Sequence, residues 1–205
     1  MHKQLIVAGI GTEIGKTFCA AILVENLQAD YWKPIQSGFP EDSDVRTIKE
    51  LTSTEAIFHP STYNLKAPLS PHTAAELEGK TIYLNEFELP NTKNSLIVEL
   101  AGGLLVPIND QETNLDLIKK LGLPVVLISK NYLGSINHTL LSIELLKQHH
   151  VEIEGIIFNG VPNTSGEKFI ENYSNLPVLC RVKQEELINP ATIQKYATSV
   201  VWPIK

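Results

Sequence analysis

Two hydrophobic patterns alternate along the chain. Short runs of apolar residues, typical of strands covered on both faces, are separated by longer segments with apolar residues every three or four positions, typical of amphipathic helices. The first pattern predicts strands at residues 5–8, 31–33, 96–99, 124–129, 153–158, 178–180 and 199–202. The second predicts helices at residues 17–27, 43–51, 73–78, 113–121, 137–149 and 167–173. This order predicts an α/β fold, a three-layer sandwich with a mostly parallel sheet.

Length and composition narrow the class of protein. The 205 residues suit one large domain, and because no repeat or linker is evident, we expect residues 1–205 to form a single domain. Segments 39–44 and 58–72 are rich in proline and polar residues and predict long functional loops. A net charge of −6 argues against general binding to nucleic acid or to an anionic membrane.

The same sequence predicts a cytoplasmic location. No apolar run approaches the roughly 18 residues needed to cross a bilayer, and Glu13 and Lys16 interrupt the apolar stretch near the N-terminus where a signal peptide would lie. Cys19 and Cys180 lie far apart without metal-type spacing. We expect both to be reduced, buried thiols.

A glycine-rich segment follows the first predicted strand and precedes the first predicted helix. It reads Gly9-Ile-Gly-Thr-Glu-Ile-Gly-Lys-Thr17. This strand–loop–helix order is typical of a P-loop, in which backbone N–H groups surround polyphosphate at a helix N-terminus. Lys16 would reach the β- and γ-phosphates, and the Thr17 hydroxyl would be a ligand of Mg²⁺. Ile10 stands where the usual motif has its first glycine, so the loop is a P-loop variant with one extra residue.

Ligands of parallel sheets bind beyond the carboxyl ends of the strands, so the residues just after each strand are candidates. Glu99 ends one predicted strand and precedes Gly102 and Gly103. In a P-loop protein, a carboxylate there can hold Mg²⁺ directly or through water, although it can also be an ordinary solvated strand end. Asp44 stands near a helix start and is either a helix cap or a second Mg²⁺ carboxylate.

Residues at four further points are also candidates. Lys33 ends the second strand, within Tyr31-Trp-Lys-Pro-Ile-Gln-Ser-Gly38, and is expected to point toward the phosphate loop. Leu133-Gly-Ser-Ile-Asn-His138 begins a helix whose free N–H groups suit a carboxylate. Asn159-Gly160 either reads a nucleotide base through the amide or forms a turn. Ser70-Pro-His72 is either a ligand-binding or an ordinary helix start.

Taken together, these segments resemble the dethiobiotin synthetases, ATP-dependent ligases that close the ureido ring in biotin synthesis. The family's loop is similar to Gly-Thr-Asp-Thr-x-Val-Gly-Lys-Thr, so the extra loop residue is a family trait. The matching segments, in chain order, are the P-loop, residues 31–38, Ser43-Asp44, Leu69-Ser-Pro-His72, Val98-Glu-Leu-Ala-Gly-Gly103, residues 133–138 and Asn159. They extend from residue 5 to about residue 160.

The resemblance implies a set of ligands and the residues that bind them. The substrates would be 7,8-diaminopelargonate, CO₂ and ATP, with Mg²⁺ as cofactor, in a homodimer. Lys16 and Lys33 would be catalytic, and Thr17, Asp44 and Glu99 would hold Mg²⁺. The ATP-binding residues would be Glu13, Ile14, Gly15, Lys16, Thr17, Phe18, Asp44, Glu99, Leu100, Ala101, Gly102, Asn159 (at the adenine) and Gly160. The substrate-binding residues would be Thr12, Ser37, Gly134, Ser135, Ile136 and Asn137, the last four acting on the substrate carboxylate across a dimer interface.

The chain departs from the family pattern at three places. Gly11 replaces the loop aspartate, which removes a carboxylate near the substrate amines, and Leu100 replaces a glycine after Glu99. Cys180-Arg-Val-Lys183 stands where the family often has Gly-Glu-Ile-Pro near the base pocket.

Two other functions remain open on the sequence. One is a ParA- or MinD-like switch ATPase acting on DNA or membrane, although such proteins commonly carry a lysine where this chain has Ile10, and a basic or amphipathic tail. The other is a nucleotide-binding module without catalysis, for which the changes at Gly11 and Leu100 leave room.

Overall fold

A computed structural model describes residues 2–38 and 43–203, so the loop predicted at 39–44 falls mostly outside the described residues. The strands are β1 (Gln4–Gly9), β2 (Asp30–Trp32), β3 (Ile35–Ser37), β4 (Phe58–His59), β5 (Tyr63–Leu65), β6 (Leu96–Gly103), β7 (Val125–Lys130), β8 (Ile153–Asn159) and β9 (Val178–Val182). The helices are α1 (Lys16–Leu27), α2 (Asp44–Leu51), α3 (Pro71–Leu77), α4 (Asn114–Leu121), α5 (Ser135–Gln148), α6 (Thr164–Ser174) and α7 (Pro190–Ala197), with a short 3₁₀ helix at Leu84–Glu86.

Seven strands form the central sheet, in the order β4-β2-β6-β1-β7-β8-β9. Within the described part of the chain, each neighbouring pair of strands runs parallel, including β3 with β5 in a separate two-stranded sheet. The predicted parallel sheet is therefore confirmed. Helix connections allow this arrangement, because parallel neighbours require a crossover.

The strands bury side chains on both faces of the sheet, as their continuous apolar runs predicted. Along β1, Leu5 and Val7 pack on one side, and Ile6 and Ala8 pack on the other. Helices α1, α2 and α7 cover the first side, and α3, α4, α5 and α6 cover the second. The three-layer α/β sandwich is confirmed.

Two elements near the C-terminus differ from the sequence prediction. The strand predicted at residues 199–202 is absent, because this segment makes a single backbone hydrogen bond to the sheet, from Val201 N to Leu179 O (2.9 Å). Trp202 instead donates its indole N–H to Asn26 Oδ1 at the end of α1. Helix α7, just before it, was not predicted. The short strands β3, β4 and β5 were also missed, two of them within the segment predicted as a loop at 58–72.

The sheet topology decides where a ligand can bind. Strand β1 lies between β6 and β7, and the chain leaves β1 toward β2 on one side before it returns to β7 on the other. This reversal at the carboxyl end of β1 is the crevice in which open parallel sheets bind ligands. The glycine-rich segment lies there, between β1 and α1. Both cysteines are free and buried, as predicted. No helix among residues 2–38 and 43–203 is long and apolar enough to cross a membrane.

Candidate nucleotide and substrate site

The phosphate loop ends in a helix start that no side chain caps. Gly15, the N-cap of α1, has φ +83°, a conformation that favours glycine, and makes no side-chain cap hydrogen bond. The first-turn N–H groups of α1 therefore point toward the crevice without a side-chain acceptor, as phosphate binding requires. Lys16 folds back over the loop, and its ammonium donates to Gly11 O at 2.7 Å.

Asn159 holds this loop from the neighbouring strand β8. Its side-chain Nδ2 donates to Ile14 O at 2.7 Å. A Cβ added at Gly15 would lie 2.3 Å from the same nitrogen, so only glycine fits beside this amide. The sequence left two interpretations of Asn159, a contact with the nucleotide base or a turn. The geometry indicates a third, in which the side-chain amide anchors the phosphate loop.

A buried network of charges lies beside the loop. The ammonium of Lys33 pairs with Asp44 and, at 3.0 Å, with Glu99 Oε1. The hydroxyl of Thr17 donates to both carboxylates, and its distance to Glu99 Oε1 is 2.9 Å. Lys33 and Glu99 are 4% and 1% exposed, so water does not screen this pair. The sequence prediction that Lys33 points toward the phosphate loop is confirmed.

The environment changes the pKa of the two lysines in opposite directions. Burial lowers the pKa of Lys16 from 10.5 to about 8, an effect that Glu99 partly opposes and Lys33 reinforces. Burial would also lower the pKa of Lys33, but the carboxylates of Glu99 and Asp44 outweigh it and raise that pKa. Burial would raise the pKa of Asp44, and Lys33 outweighs it and lowers that pKa. Lys33 therefore stays charged at neutral pH, whereas the Lys16 ammonium titrates just above it.

These groups line a single cavity of about 700 Å³, a volume in the range of small-molecule sites. Most of the predicted site residues line it: Thr12, Glu13, Ile14, Gly15, Lys16, Thr17, Lys33, Ser37, Asp44, Glu99, Ala101 and Gly102. Pro68, Leu69, Ser70, Pro71 and Val106 also line this cavity. The sequence left Ser70-Pro-His72 open between a ligand-binding and an ordinary helix start. In the structure Ser70 and Pro71 line the cavity, and His72 does not.

Besides Asn159, three predicted nucleotide residues do not line this cavity. The side chain of Leu100 is buried in the core on the opposite face of the sheet from Glu99, because successive strand residues point to opposite faces. Phe18 packs edge-on against Tyr196 of α7, with ring centroids 6.2 Å apart. Gly160 has φ +98° and turns the chain after β8, while its N–H donates to Val182 O.

The predicted carboxylate-binding segment also lies outside the main cavity. Gly134 is the N-cap of α5, with φ +96°, Ser135 is buried and Asn137 is exposed. The gap between this helix start and the outer side of the phosphate loop forms a shallower cavity of about 470 Å³, lined by Lys130, Tyr132 and His138. Lys130 bridges the gap by donating to Glu13 O at 3.1 Å. Within one chain, residues 134–137 do not reach Lys33.

Tyr31 is a site residue that sequence reasoning did not single out. Its hydroxyl donates to Glu99 Oε2 at 2.8 Å. Burial and the negative charge of Glu99 raise the Tyr31 pKa well above 10, so the hydroxyl remains a donor. A signal existed, because residues 31 and 33 share one face of a strand, and a functional Lys33 therefore places Tyr31 on the same side.

The loop, the helix start and the lysine and carboxylates around them define a P-loop nucleotide-binding protein. A family model described as an AAA domain matches residues 3–192. Among solved structures, a chain of the MinC:MinD cell division protein complex of Aquifex aeolicus is similar, with a TM-score of 0.56 and 11% identity over 96% of this chain and 87% of that one. At that identity the likeness shows the fold alone, and it agrees with the predicted α/β sandwich.

Sequence relatives narrow the class to one family. The chain is 43% identical to the ATP-dependent dethiobiotin synthetase BioD of Christiangramia forsetii, over 96% of this chain and 95% of the relative. It is 44% identical to the protein of the same name from Cytophaga hutchinsonii, over 97% of each chain. The chain belongs to the dethiobiotin synthetase family, which confirms the resemblance found in the sequence.

Proposed function

We propose that this protein is an ATP-dependent dethiobiotin synthetase, a ligase that carboxylates 7,8-diaminopelargonate with CO₂, closes the ureido ring and releases ADP and phosphate. The observation that carries the proposal is the meeting of Lys16, Lys33 and Glu99 in one cavity beside the phosphate loop, in a chain more than 40% identical to relatives of that name. Nothing observed favours a switch ATPase over it, because the likeness to MinD is one of fold.

The chemistry needs charge neutralisation and positioning more than a nucleophilic side chain. One substrate amine bonds to CO₂ as a carbamate, and a carbamate oxygen then takes the γ-phosphoryl group from ATP. The second amine attacks the carbamate carbon and expels phosphate, which closes the ring. Lys16 would neutralise charge on the transferring phosphoryl group, and Lys33 would stabilise the carbamate that accepts it.

The donor set beside Lys33 suits Mg²⁺. Thr17, Asp44 and Glu99 offer one hydroxyl and two carboxylates, all oxygen ligands, and both carboxylates lie within hydrogen-bond reach of the Thr17 hydroxyl. Mg²⁺ is usually held by one or two carboxylates together with phosphate oxygens and water. Among residues 2–38 and 43–203, no group of three or more His, Cys, Asp or Glu side chains is placed to hold a metal ion. When bound, Mg²⁺ would neutralise charge on the β- and γ-phosphates.

Two residues of the cavity are proposed to contact the diamine. Thr12 and Ser37 line the same cavity as Lys33. The hydroxyl oxygen of Ser37 is buried and lacks a hydrogen-bond partner in the described structure, so a substrate group would satisfy it.

The substrate carboxylate is proposed to bind residues 134–137 of a second copy of the chain. This segment is at the carboxyl edge of the sheet but outside the main cavity, and the adjacent Leu133 side chain is fully exposed. Leu133 and the neighbouring Tyr132, which is also exposed, would be buried if a second copy packed on this segment. Light scattering of the purified protein tests the dimer.

The proposal extends to the whole chain and its location. We propose that residues 1–205 form one catalytic domain whose partners are small molecules only. We also propose that the enzyme acts in the cytoplasm, where free buried thiols such as Cys19 and Cys180 are usual.

One assay tests the function directly: ATP- and Mg²⁺-dependent incorporation of labelled bicarbonate into 7,8-diaminopelargonate, with diamines of other lengths as controls. Incorporation into the natural diamine, accompanied by one phosphate per ring closed, is expected. ATP hydrolysis that ignores the diamine would support a switch ATPase instead. Nucleotide binding without phosphate release under any condition would support a module without catalysis.

A further inference from the structure

The two oxygens of the Glu99 carboxylate have different partners. Oε1 accepts from Lys33 Nζ at 3.0 Å and from Thr17 Oγ1 at 2.9 Å, both of which line the cavity. Oε2 accepts from the hydroxyl of Tyr31 at 2.8 Å, and Tyr31 does not line the cavity. Oε1 therefore faces the nucleotide site, whereas Oε2 faces the protein interior.

On the basis of the proposed function, we propose that Tyr31 is a positioning residue, whose hydroxyl fixes the rotation of the Glu99 carboxylate so that Oε1 is presented to the metal–nucleotide complex. Glu99 is 1% exposed, so water has little access to replace a lost donor on Oε2. A buried carboxylate oxygen without a donor is costly, and the carboxylate would turn to recover one.

The strand backbone holds Tyr31 in place from both sides. Strand β2 lies between β6 and β4, with Tyr31 opposite Ile97 and Phe58. Its N–H donates to Ile57 O at 2.9 Å, and its ring packs against the ring of Phe58 with centroids 5.9 Å apart. The side chain is completely buried. Its hydroxyl is therefore a fixed donor, which is the property a positioning residue needs.

Removing the Tyr31 hydroxyl should lower the affinity for the metal ion, and not only the thermal stability of the protein. Partners that orient metal-binding carboxylates change metal affinity by about 10- to 100-fold when they are lost. Here Lys33 and Thr17 still hold Oε1, so we expect the lower end, about tenfold. A purely structural tyrosine would lower thermal stability and leave metal affinity unchanged.

The test compares Tyr31→Phe with wild type. Mn²⁺ affinity is measured by electron paramagnetic resonance with a non-hydrolysable ATP analogue, and the Mg²⁺ concentration for half-maximal turnover is measured alongside kcat. For Tyr31→Phe at saturating nucleotide, the Mn²⁺ dissociation constant and the Mg²⁺ concentration for half-maximal turnover should each rise about tenfold. The kcat at saturating Mg²⁺ should change less. Tyr63→Phe is the matched control, because Tyr63 also donates its hydroxyl to a carboxylate, Glu86, away from the cavity. It should change neither constant.

A second background keeps the test decisive. In Glu99→Gln the carboxylate is gone, so adding Tyr31→Phe should not alter Mn²⁺ affinity further. The proposal is overturned if Tyr31→Phe binds Mn²⁺ with wild-type affinity. It is also overturned if Tyr31→Phe lowers Mn²⁺ affinity by the same factor in the Glu99→Gln protein as in the wild type. Because Mn²⁺ binding needs no diamine, a wild-type protein that binds Mn²⁺–nucleotide but forms no dethiobiotin would refute the proposed function and leave the role of Tyr31 standing.

Discussion

The side-chain amide of Asn159 donates a 2.7 Å hydrogen bond to the carbonyl oxygen of Ile14. This bond joins the carboxyl end of β8 to the phosphate loop, across 145 residues of sequence. By holding the Ile14 carbonyl, the bond fixes the conformation of the loop that precedes the N-terminus of α1. Asn159 is therefore expected to act on the triphosphate through the loop, whatever it also contributes to the base.

Asn159→Ala should weaken ATP binding about fivefold, because a hydrogen bond of this kind contributes about 1 kcal/mol. The loss should be similar for tripolyphosphate, which has no base, and isothermal titration calorimetry measures both affinities. A residue that only reads adenine would instead leave tripolyphosphate binding unchanged. Asn131→Ala is the control, because Asn131 makes a comparable bond to Val161 O away from the phosphate loop.

Lys33→Ala should reduce kcat by about 1000-fold, because a charge-stabilising donor is removed from the transferring group. It should also destabilise the protein by about 3–5 kcal/mol, since the buried carboxylate of Glu99 and the nearby Asp44 lose their cation. For a chain of this size we expect the midpoint of thermal unfolding to fall by about 10 °C.

Added Mg²⁺ and ATP should restore part of this stability to Lys33→Ala, because the metal would replace the lost positive charge. Thermal unfolding with and without EDTA measures the recovery. Lys80→Ala, which breaks the exposed pair with Glu78, should change the midpoint by about 1 °C or less. An active Lys33→Ala enzyme would remove Lys33 from the mechanism.

The parts of the fold that could be predicted are those with a strong pattern of their own. The central strands, such as β7, are continuous apolar runs of four or more residues, so the local sequence alone predicts their burial on both faces. Strands β3 and β5 have three residues each with a polar residue in the middle, and they exist because they pair with each other. That pairing joins segments that are distant in the sequence, and no local pattern of hydrophobic residues predicts it. Helix α7 did carry a signal, since Asn189 caps it and Pro190 opens it.

The candidate site divides in a similar way. Backbone and side-chain chemistry within the phosphate loop predicted the positions of Lys16 and Thr17, and strand ends predicted Lys33 and Glu99. The sequence could not show that Asn159 holds Ile14 or that Tyr31 holds Glu99, because both contacts join distant segments. Residues 134–137 remain a prediction, because one chain alone does not bring them to the cavity.

Gly11→Asp should improve binding of the diamine. A Cβ at Gly11 meets no other atom within 4 Å, so a larger side chain fits there without displacing the loop. A carboxylate at this point, as in the family's usual loop, would attract the substrate amines. We expect the KM for 7,8-diaminopelargonate to fall a few-fold, while the KM for ATP changes little. Gly11→Asn, which has the same shape without the charge, is the control, and an equal effect of both variants would contradict the electrostatic explanation.

ATP affinity should fall as the pH rises above 8, because the Lys16 pKa is lowered to about 8 by burial. The free protein loses the Lys16 proton in that range, and a neutral amine attracts phosphate weakly, so affinity should drop about tenfold between pH 7 and pH 9.

The free energy of unfolding of the unliganded protein should change in the opposite direction and rise with pH. The unfolded chain keeps the proton on Lys16 up to about pH 10.5, so it binds more protons than the folded state between pH 8 and 10.5. Lys16 therefore makes the fold more stable as the pH rises through that window. Calorimetry with an ATP analogue from about pH 7 to pH 9, and denaturant unfolding from about pH 8 to pH 10.5, measure the two trends. Lys16→Arg stays charged throughout and should show neither, and a wild-type affinity independent of pH would place the titration of Lys16 outside this range.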